Sequence, residues 1–471
     1  MDLPAEYLNE SKPEPSRQEI TRTIFNLLWP ATVESVLQMG VGLVSTAMVG
    51  HLSALAISAV GLANRATMVA WALFQAISTG TTVLVAQAVG AGHRQRARVL
   101  TVQALIFGTL SVFLLAGLFF TEAEGILAIF RPEPELLEAC TGYLKIVSWG
   151  MPAVAVMTAA GAGLRGSGDT RTPMLIAVFV NILNVLGNWA LIYGNLGLPA
   201  MGITGSAIAT IIAQWLGGIL AMWAIAGRNS RLGLTLRGPW RFDSHELRRI
   251  LNMGLPAAGE SLFWQAAAVI LTFYITSFGT KALAAHQLGL TAESLSYMPT
   301  AGFGIAATTL VGQAIGGNNP HIARRYLREL EFWATSITLV TASMLFFMPG
   351  TILGFLTSDK DVIALGSIYL RLMATAQIPQ QVSGVLSGAM RGSGDTRAPM
   401  FIAATGLWGI RLPLAYFFAF TLKMGVTGVW TAMTLDLFVR FALTLGRYRR
   451  LSWVGEFTLV RRFVRSRSTP S

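Results

Sequence analysis

Apolar residues in this chain fall in long unbroken runs, of which Val99–Phe120, Met174–Tyr193 and Ala334–Phe347 are examples. About 20 apolar residues wound as a helix span a hydrocarbon layer about 30 Å thick. The other structure that satisfies its own backbone in lipid is a closed β-barrel, whose segments of about 10 residues alternate in polarity. These runs do not alternate. The pattern predicts twelve helices, at 25–49, 54–88, 98–120, 137–164, 172–194, 202–226, 246–278, 282–315, 323–348, 363–390, 398–421 and 425–447. Asp243, Ser244 and Glu246 resemble a capping box opening the seventh.

The polar stretches between these helices gather their arginines on one side. Arg94, Arg96 and Arg98 follow the second predicted helix. Arg228, Arg231, Arg237, Arg241, Arg248 and Arg249 follow the sixth, and Arg324, Arg325 and Arg328 the eighth. Arg449, Arg450, Arg461, Arg462, Arg465 and Arg467 follow the last. The alternate loops are acidic, with Glu122, Glu124, Glu133, Glu135 and Glu138 in one and Asp359 and Asp361 in another. Basic loops stay in the cytoplasm, so both termini are expected there, in a bacterial-type inner membrane. The net charge of +12 then reads as orientation charge that also attracts anionic lipid heads, not as a nucleic-acid footprint, since no reading motif accompanies it. The polar first 24 residues lack the pattern of a signal peptide. A mean hydropathy of +0.56 with 12% charged residues agrees with a membrane protein. The single Cys140 excludes an internal disulfide and a cysteine metal cluster. The histidines share no metal-ligand spacing and no nucleophilic triad is visible, so neither a metal site nor an enzyme is expected.

The chain repeats itself at an offset of 226. Pro30-Ala31-x-x-Glu34-Ser35 returns as Pro256-Ala257-x-x-Glu260-Ser261, and Gln87-Ala88-x-Gly90 as Gln313-Ala314-x-Gly316. Tyr143-Leu144 returns as Tyr369-Leu370. Arg165-Gly166-Ser167-Gly168-Asp169-Thr170-Arg171-x-Pro173-Met174 returns as Arg391-Gly392-Ser393-Gly394-Asp395-Thr396-Arg397-x-Pro399-Met400. An even number of helices per repeat makes the halves parallel. The expected fold is an all-α polytopic membrane protein: about twelve helices in two parallel six-helix lobes, related by a pseudo-twofold along the membrane normal. The divisions are a tail at 1–24, a lobe at 25–227, a linker at 228–245, a lobe at 246–448 and a basic tail at 449–471. The repeated Arg-Gly-Ser-Gly-Asp-Thr-Arg element reads either as a helix-hairpin turn or as a cytoplasmic gate latch. Its glycines permit a tight turn, and Asp169 can cap the following helix.

These residues resemble the multidrug and toxic compound extrusion (MATE) family over roughly residues 20–450. The resemblance rests on Trp29-Pro30-Ala31, Met48-Val49-Gly50-His51-Leu52, Ala284-Ala285-His286-Gln287 and the twice-repeated Arg-Gly-x-Gly-Asp-Thr-Arg. It implies a secondary antiporter that exports organic, cationic compounds in exchange for H⁺ or Na⁺, with no further cofactor. The family's usual acids are absent here. Helix one has Ser45 in place of an acid, helix five has Asn184 and Asn188 for an Asn–Asp pair, helix seven has Trp264 and helix ten has Gln380. Gln287 and Tyr297 match cation-facing positions of one bacterial branch.

Ionisable groups inside spans are functional candidates by default. The carboxylates are Glu34, Glu260, Glu293 and Asp436, and the mid-span bases are Arg65 and Arg411. Glu34, Gln38 and Ser45 share a face of helix one, because eleven residues return to within about 20° of the start. Glu34 and its counterpart Glu260 read either as a cation site at the inner mouth or as braces to neighbouring helices. His286, Glu293 and Tyr297 form a stripe on helix eight, and Glu293 is the leading proton carrier. Local alignment sets Arg65 opposite Glu293, so a salt bridge between the lobes is the competing reading. Asp436 and Arg440, four apart, suggest a local ion pair that Arg411 can join. Phe263, Trp264 and Tyr274 can stack on a flat cation, and the Leu451–Arg467 tail reads as an amphipathic helix. The expected partners are small organic cations and membrane lipids, with the monomer as the working unit. A flippase for a lipid-linked or anionic substrate is the alternative, and a non-transporting scaffold ranks below it.

Overall fold

A computed structural model describes residues 16–50, 52–227, 232–234 and 242–451, and among them every regular element is a helix. The first half runs through α1 (Arg17–Gly50), α2 (Ala54–Ala66), α3 (Met68–Gly90), α4 (Arg94–Thr121), α5 (Ala123–Ala128), α6 (Pro134–Ser148), α7 (Met151–Gly166), α8 (Arg171–Tyr193) and α9 (Gly202–Ala226). The second comprises α10 (Ser244–Thr276), α11 (Thr280–Gly316), α12 (Pro320–Phe347), α13 (Pro349–Gly354), α14 (Lys360–Gly392), α15 (Arg397–Ala404), α16 (Leu412–Tyr416) and α17 (Val426–Arg450). Thr405–Arg411 and Phe417–Thr421 are wound as π-helix, so 397–421 is a single span. Ten helices are long and apolar enough to cross a membrane, and α6 with α7 adds an eleventh as one span bent by 46°. The 37-residue α11 is the twelfth long segment.

Three boundaries depart from the sequence reading. α1 begins at Arg17 rather than 25, because Ile20 and Ile24 point inward from a polar stretch and are buried against α11 and α12. The predicted second helix is two, broken at Thr67. The first half holds two extra residues here: Ala54-Leu55-Ala56 returns as Ala282-Leu283-Ala284, an offset of 228, whereas Gln87 returns as Gln313 at 226. The break lies between these two points. The predicted fourth helix bends at Trp149–Gly150, where Pro152 in the first turn of α7 lacks the N–H that a continuous helix would use. Asp243 caps α10 through the amides of His245 and Glu246, at 2.9 and 3.3 Å. The C-terminal segment expected as an amphipathic helix lies outside the described residues.

Arg94, Arg96 and Arg98, Arg248 and Arg249, Arg324, Arg325 and Arg328, and Arg449 and Arg450 all sit at one end of the bundle, here called the basic end. The halves close on each other there. α3 crosses α10 so tightly that a Cβ on Gly254 would stand 1.9 Å from the Ala76 carbonyl oxygen. The crossing of α3 with α11 is reciprocal: a Cβ on Gly90 would stand 1.9 Å from the Gln313 oxygen, and one on Gly316 2.0 Å from that of Gln87. Only hydrogen fits in either place, which leaves Cα–H···O contacts of about 0.5–1 kcal/mol each. α1 joins the seam from the first half, with Arg17 on Glu329 of α12 at 2.7 Å and Phe25 edge-on to Trp333. The outer surface presents large apolar side chains such as Leu114, Ile219, Trp223 and Phe273, as lipid contact requires.

The Gly90 contact gives a direct expectation. Gly90→Ala should destabilise the closed arrangement by about 1–3 kcal/mol through overpacking. Gly61→Ala, whose Cβ meets nothing within 4 Å, should match or slightly exceed the parent, by at most about 1 kcal/mol. Thermal unfolding in detergent, with cysteine cross-linking across α3 and α11 as the measure of closure, separates the two.

Candidate functional site

The repeated motif builds the same local structure twice. Arg165, on the last turn of α7, reaches Glu34 of α1 at 2.9 Å, and Arg391 reaches Glu260 of α10 at 2.5 Å. Gly168 and Gly394 turn the chain with φ of 86° and 97°, where a side chain would be strained. Asp169 then accepts from the Thr172 amide at 3.0 Å and Asp395 from the Ala398 amide at 3.1 Å, which caps α8 and α15. Arg171 bonds Asn26, Arg447 bonds Asp395, and Arg397 is exposed. The turns also face across the molecule. The Gln87 amide donates to the Gly392 carbonyl at 2.9 Å, and the Gln313 amide to the Gly166 carbonyl at 2.9 Å. Each half therefore grips the other half's turn. Glu34 and Glu260 brace their own helices through arginine rather than standing free.

The second half contains a buried charged cluster that the first half lacks. Asp436 of α17 is fully buried and accepts hydrogen bonds from Arg411 Nε at 2.9 Å and Arg440 Nε at 3.1 Å, and each Nη2 stands within ion-pair distance at 2.8 and 3.0 Å. A π-turn holds one more residue than an α-turn, and Arg411 ends the π segment with its guanidinium on Asp436. Both guanidinium groups lie over the Trp264 ring, at 5.0 and 4.6 Å from its centre. The stacking expected of Trp264 thus goes to the protein's own cations. Met201-Gly202-x-Thr204-Gly205 returns as Met424-Gly425-x-Thr427-Gly428, so the counterparts of Asp436 and Arg440 are Ala213 and Gly217.

Glu293 is buried in the same half and is held differently. The Tyr369 hydroxyl donates to one oxygen at 2.5 Å and the Gln377 amide to the other at 3.0 Å. His286 packs edge-on against Tyr369 at 5.5 Å, and Tyr369 in turn against Trp430 at 5.4 Å. Arg411 lies within electrostatic range, but no cation forms an ion pair with Glu293 among the described residues. The expected Arg65–Glu293 bridge is absent. Arg65 is exposed and lines a shallow depression with Phe130, Pro132 and Leu136 of its own half. Residues related by a pseudo-twofold meet only on its axis, and Glu293 is turned away from it into its own half.

The first half has a neutral network at the positions where the family resemblance implied acids. The Ser45 hydroxyl donates to Asn184 Oδ1 at 3.1 Å. The Asn188 amide donates to Ser45 at 3.2 Å and to Asn184 at 3.1 Å, and the Asn184 amide to Thr210 at 3.1 Å. No member can take up a proton near neutral pH. Gln287 and Tyr297 are exposed, so Tyr297 leaves the stripe expected with His286 and Glu293. Gln380 has a buried, unpartnered oxygen, and the Gln38 side chain lies outside the described residues. Sequence reasoning missed Tyr369, Gln377 and Glu331. Tyr369 was visible as part of a repeated pair; the other two are polar residues in apolar helices and give no signal of what they face.

Comparison with known proteins agrees with this architecture. The MatE family model matches residues 30–190 and 256–417, one block in each half. A Thermotoga maritima protein described as "Probable multidrug resistance protein NorM" is 32% identical, covering 96% of this chain and 97% of its own. The "Uncharacterized transporter YisQ" of Bacillus subtilis is 29% identical over 92% and 95%. Among solved structures, the outward-facing conformation of a multidrug resistance MATE family transporter superposes with a TM-score of 0.85 at 21% identity, over 91% of this chain and 95% of that one.

The Asp436 cluster generates a stability prediction. Asp436→Asn leaves two buried cations without their counter-charge and should cost about 3–5 kcal/mol. Replacing Asp436, Arg411 and Arg440 together by apolar residues of similar size should restore most of the loss. The melting temperature in detergent reads both.

Proposed function

Because the chain belongs to the MatE family of membrane transporters, we propose that it is a secondary antiporter that exports organic cations in exchange for H⁺, with Glu293 as the proton carrier. One observation carries the assignment. Glu34, Glu260 and Asp436 are neutralised by arginine, whereas Glu293 is held by two neutral donors. A carboxylate so held gains or loses a proton without breaking an ion pair. The two donors take one lone pair on each oxygen and leave the other for a proton. The Ser45–Asn184–Asn188 network, at the positions where the resemblance implied acids, holds no titrating group.

The positive-inside rule assigns the basic end to the cytoplasm of a bacterial inner membrane, with both termini inside. The seam between the halves then shuts the inner mouth, which leaves access from the outside. In that state an outside proton neutralises Glu293 and removes the charge that retains a cation. Rocking of one half on the other carries the protonated group to the inside, where loss of the proton restores the site. A second reading, export of an anionic or lipid-linked compound, is favoured by the two guanidinium groups over Trp264.

Proteoliposomes loaded with ethidium, with pH and Na⁺ gradients imposed separately, test the proposal. The pH gradient alone should drive transport, and Glu293→Gln should lower that rate at least tenfold with its melting temperature retained. Sodium-driven transport, or full pH coupling in the variant, would sink it. Transport of an anionic dye in place of ethidium would establish the second reading.

A further inference from the structure

A second carboxylate lies buried in the second half, and the cycle above does not use it. Glu331 is eleven residues into α12, about 16 Å from that helix's start at the basic end. Both of its oxygens are buried and neither has a hydrogen-bond partner. Gln381 of α14 lies beside it, 1% exposed, its Oε1 accepting from Thr335 at 3.2 Å while its Nε2 is buried without a partner. Among the described residues, the charged and titratable groups that share its surroundings are Arg324 and Arg328 on its own helix and Tyr448 on α17. Glu329, two residues away, is taken by Arg17 of α1. None of these reaches a Glu331 oxygen. An ionised carboxylate so placed costs several kcal/mol, and such a group takes up a proton instead.

α14 connects this group to Glu293. Gln377 and Gln381 are one turn apart on its buried face, about 6 Å along the axis. The first donates to Glu293 and the second lies at Glu331. The polar stripe runs inside one half, beside the seam rather than through it.

We propose that Glu331 is a second proton-binding group of the transport cycle, set between Glu293 and the basic end. The inference rests on the H⁺ coupling proposed above. When the basic end opens, the Glu331 acid gives its proton to water on that side. The carboxylate so formed takes the proton of the Glu293 acid through water admitted between them. One O–H bond breaks at Glu293 and one forms at Glu331, and Glu293 is left ionised to receive the next cation.

Dicyclohexylcarbodiimide, which reacts with carboxylic acids in apolar surroundings, tests this on the unaltered protein in proteoliposomes. Peptide mass spectrometry should find an adduct on Glu331 that declines as the pH at the basic end is raised. A covered peptide with no adduct overturns the proposal, and so does labelling of Glu293 without Glu331. Among variants, Glu331→Gln should lose pH-driven ethidium transport at least tenfold, keep ethidium–ethidium exchange and lose the pH profile at the basic end, while Glu331→Asp keeps all three. Wild-type coupling and pH profile in Glu331→Gln overturn the proposal. If Glu331→Gln loses exchange as well, it has failed to fold and the labelling decides. A wild-type protein indifferent to the pH gradient defeats the antiport reading itself. A Glu293→Gln variant that loses coupling beside a Glu331→Gln variant that keeps it defeats only this inference.

Discussion

Charge inside a hydrocarbon layer must be neutralised by a partner or by a proton, and this requirement organises the molecule. Glu34, Glu260 and Asp436 each meet an arginine. Those ion pairs tie α1 to α7, α10 to α14 and α17 to the π segment before α16, so they act as struts. Glu293 meets a phenol and an amide, and Glu331 meets nothing that bonds it. The same chemical group is thus ion-paired in three places and without a cationic partner in the other two, and the difference lies in what faces it.

Duplication supplies the frame and asymmetry supplies the chemistry. The motif turns, their arginine–glutamate pairs and the two glutamine contacts exist in both halves at matching distances. The Asp436 cluster and the Glu293 site do not. Ala213 and Gly217 stand where the second half has Asp436 and Arg440, and the first half relies on an amide and hydroxyl network. The two halves thus share a frame but differ in the polar groups set into it.

Much of the frame is legible in the sequence because hydrophobic runs and an internal repeat are one-dimensional signals. The number of spans, the parallel halves and the importance of the motif follow from them. Helix breaks are less visible: Thr67 marks a change in repeat offset, and Trp149–Gly150 has only a following proline to betray it. Pairings are the hardest to see. Arg165 and Glu34 lie 131 residues apart, on helices that share no packed face, and meet only because the long arginine side chain spans from α7 to α1. The Arg65–Glu293 pair, expected in one conformation of the cycle, is not made in this one; alignment relates positions by symmetry, and symmetry does not imply contact. Glu331 escaped notice because helix period says which residues share a face but not which neighbour that face meets.

The two glutamine contacts across the seam have a consequence for how the molecule moves. Each amide holds the turn of the opposite half, and the two bonds are mates under the same pseudo-twofold. A tilt of one half that strains one of them strains the other equally. Neither can be released first along a symmetric path, so the seam behaves as a bistable catch rather than a zipper. Two bonds that must yield together disfavour a half-open arrangement of the seam.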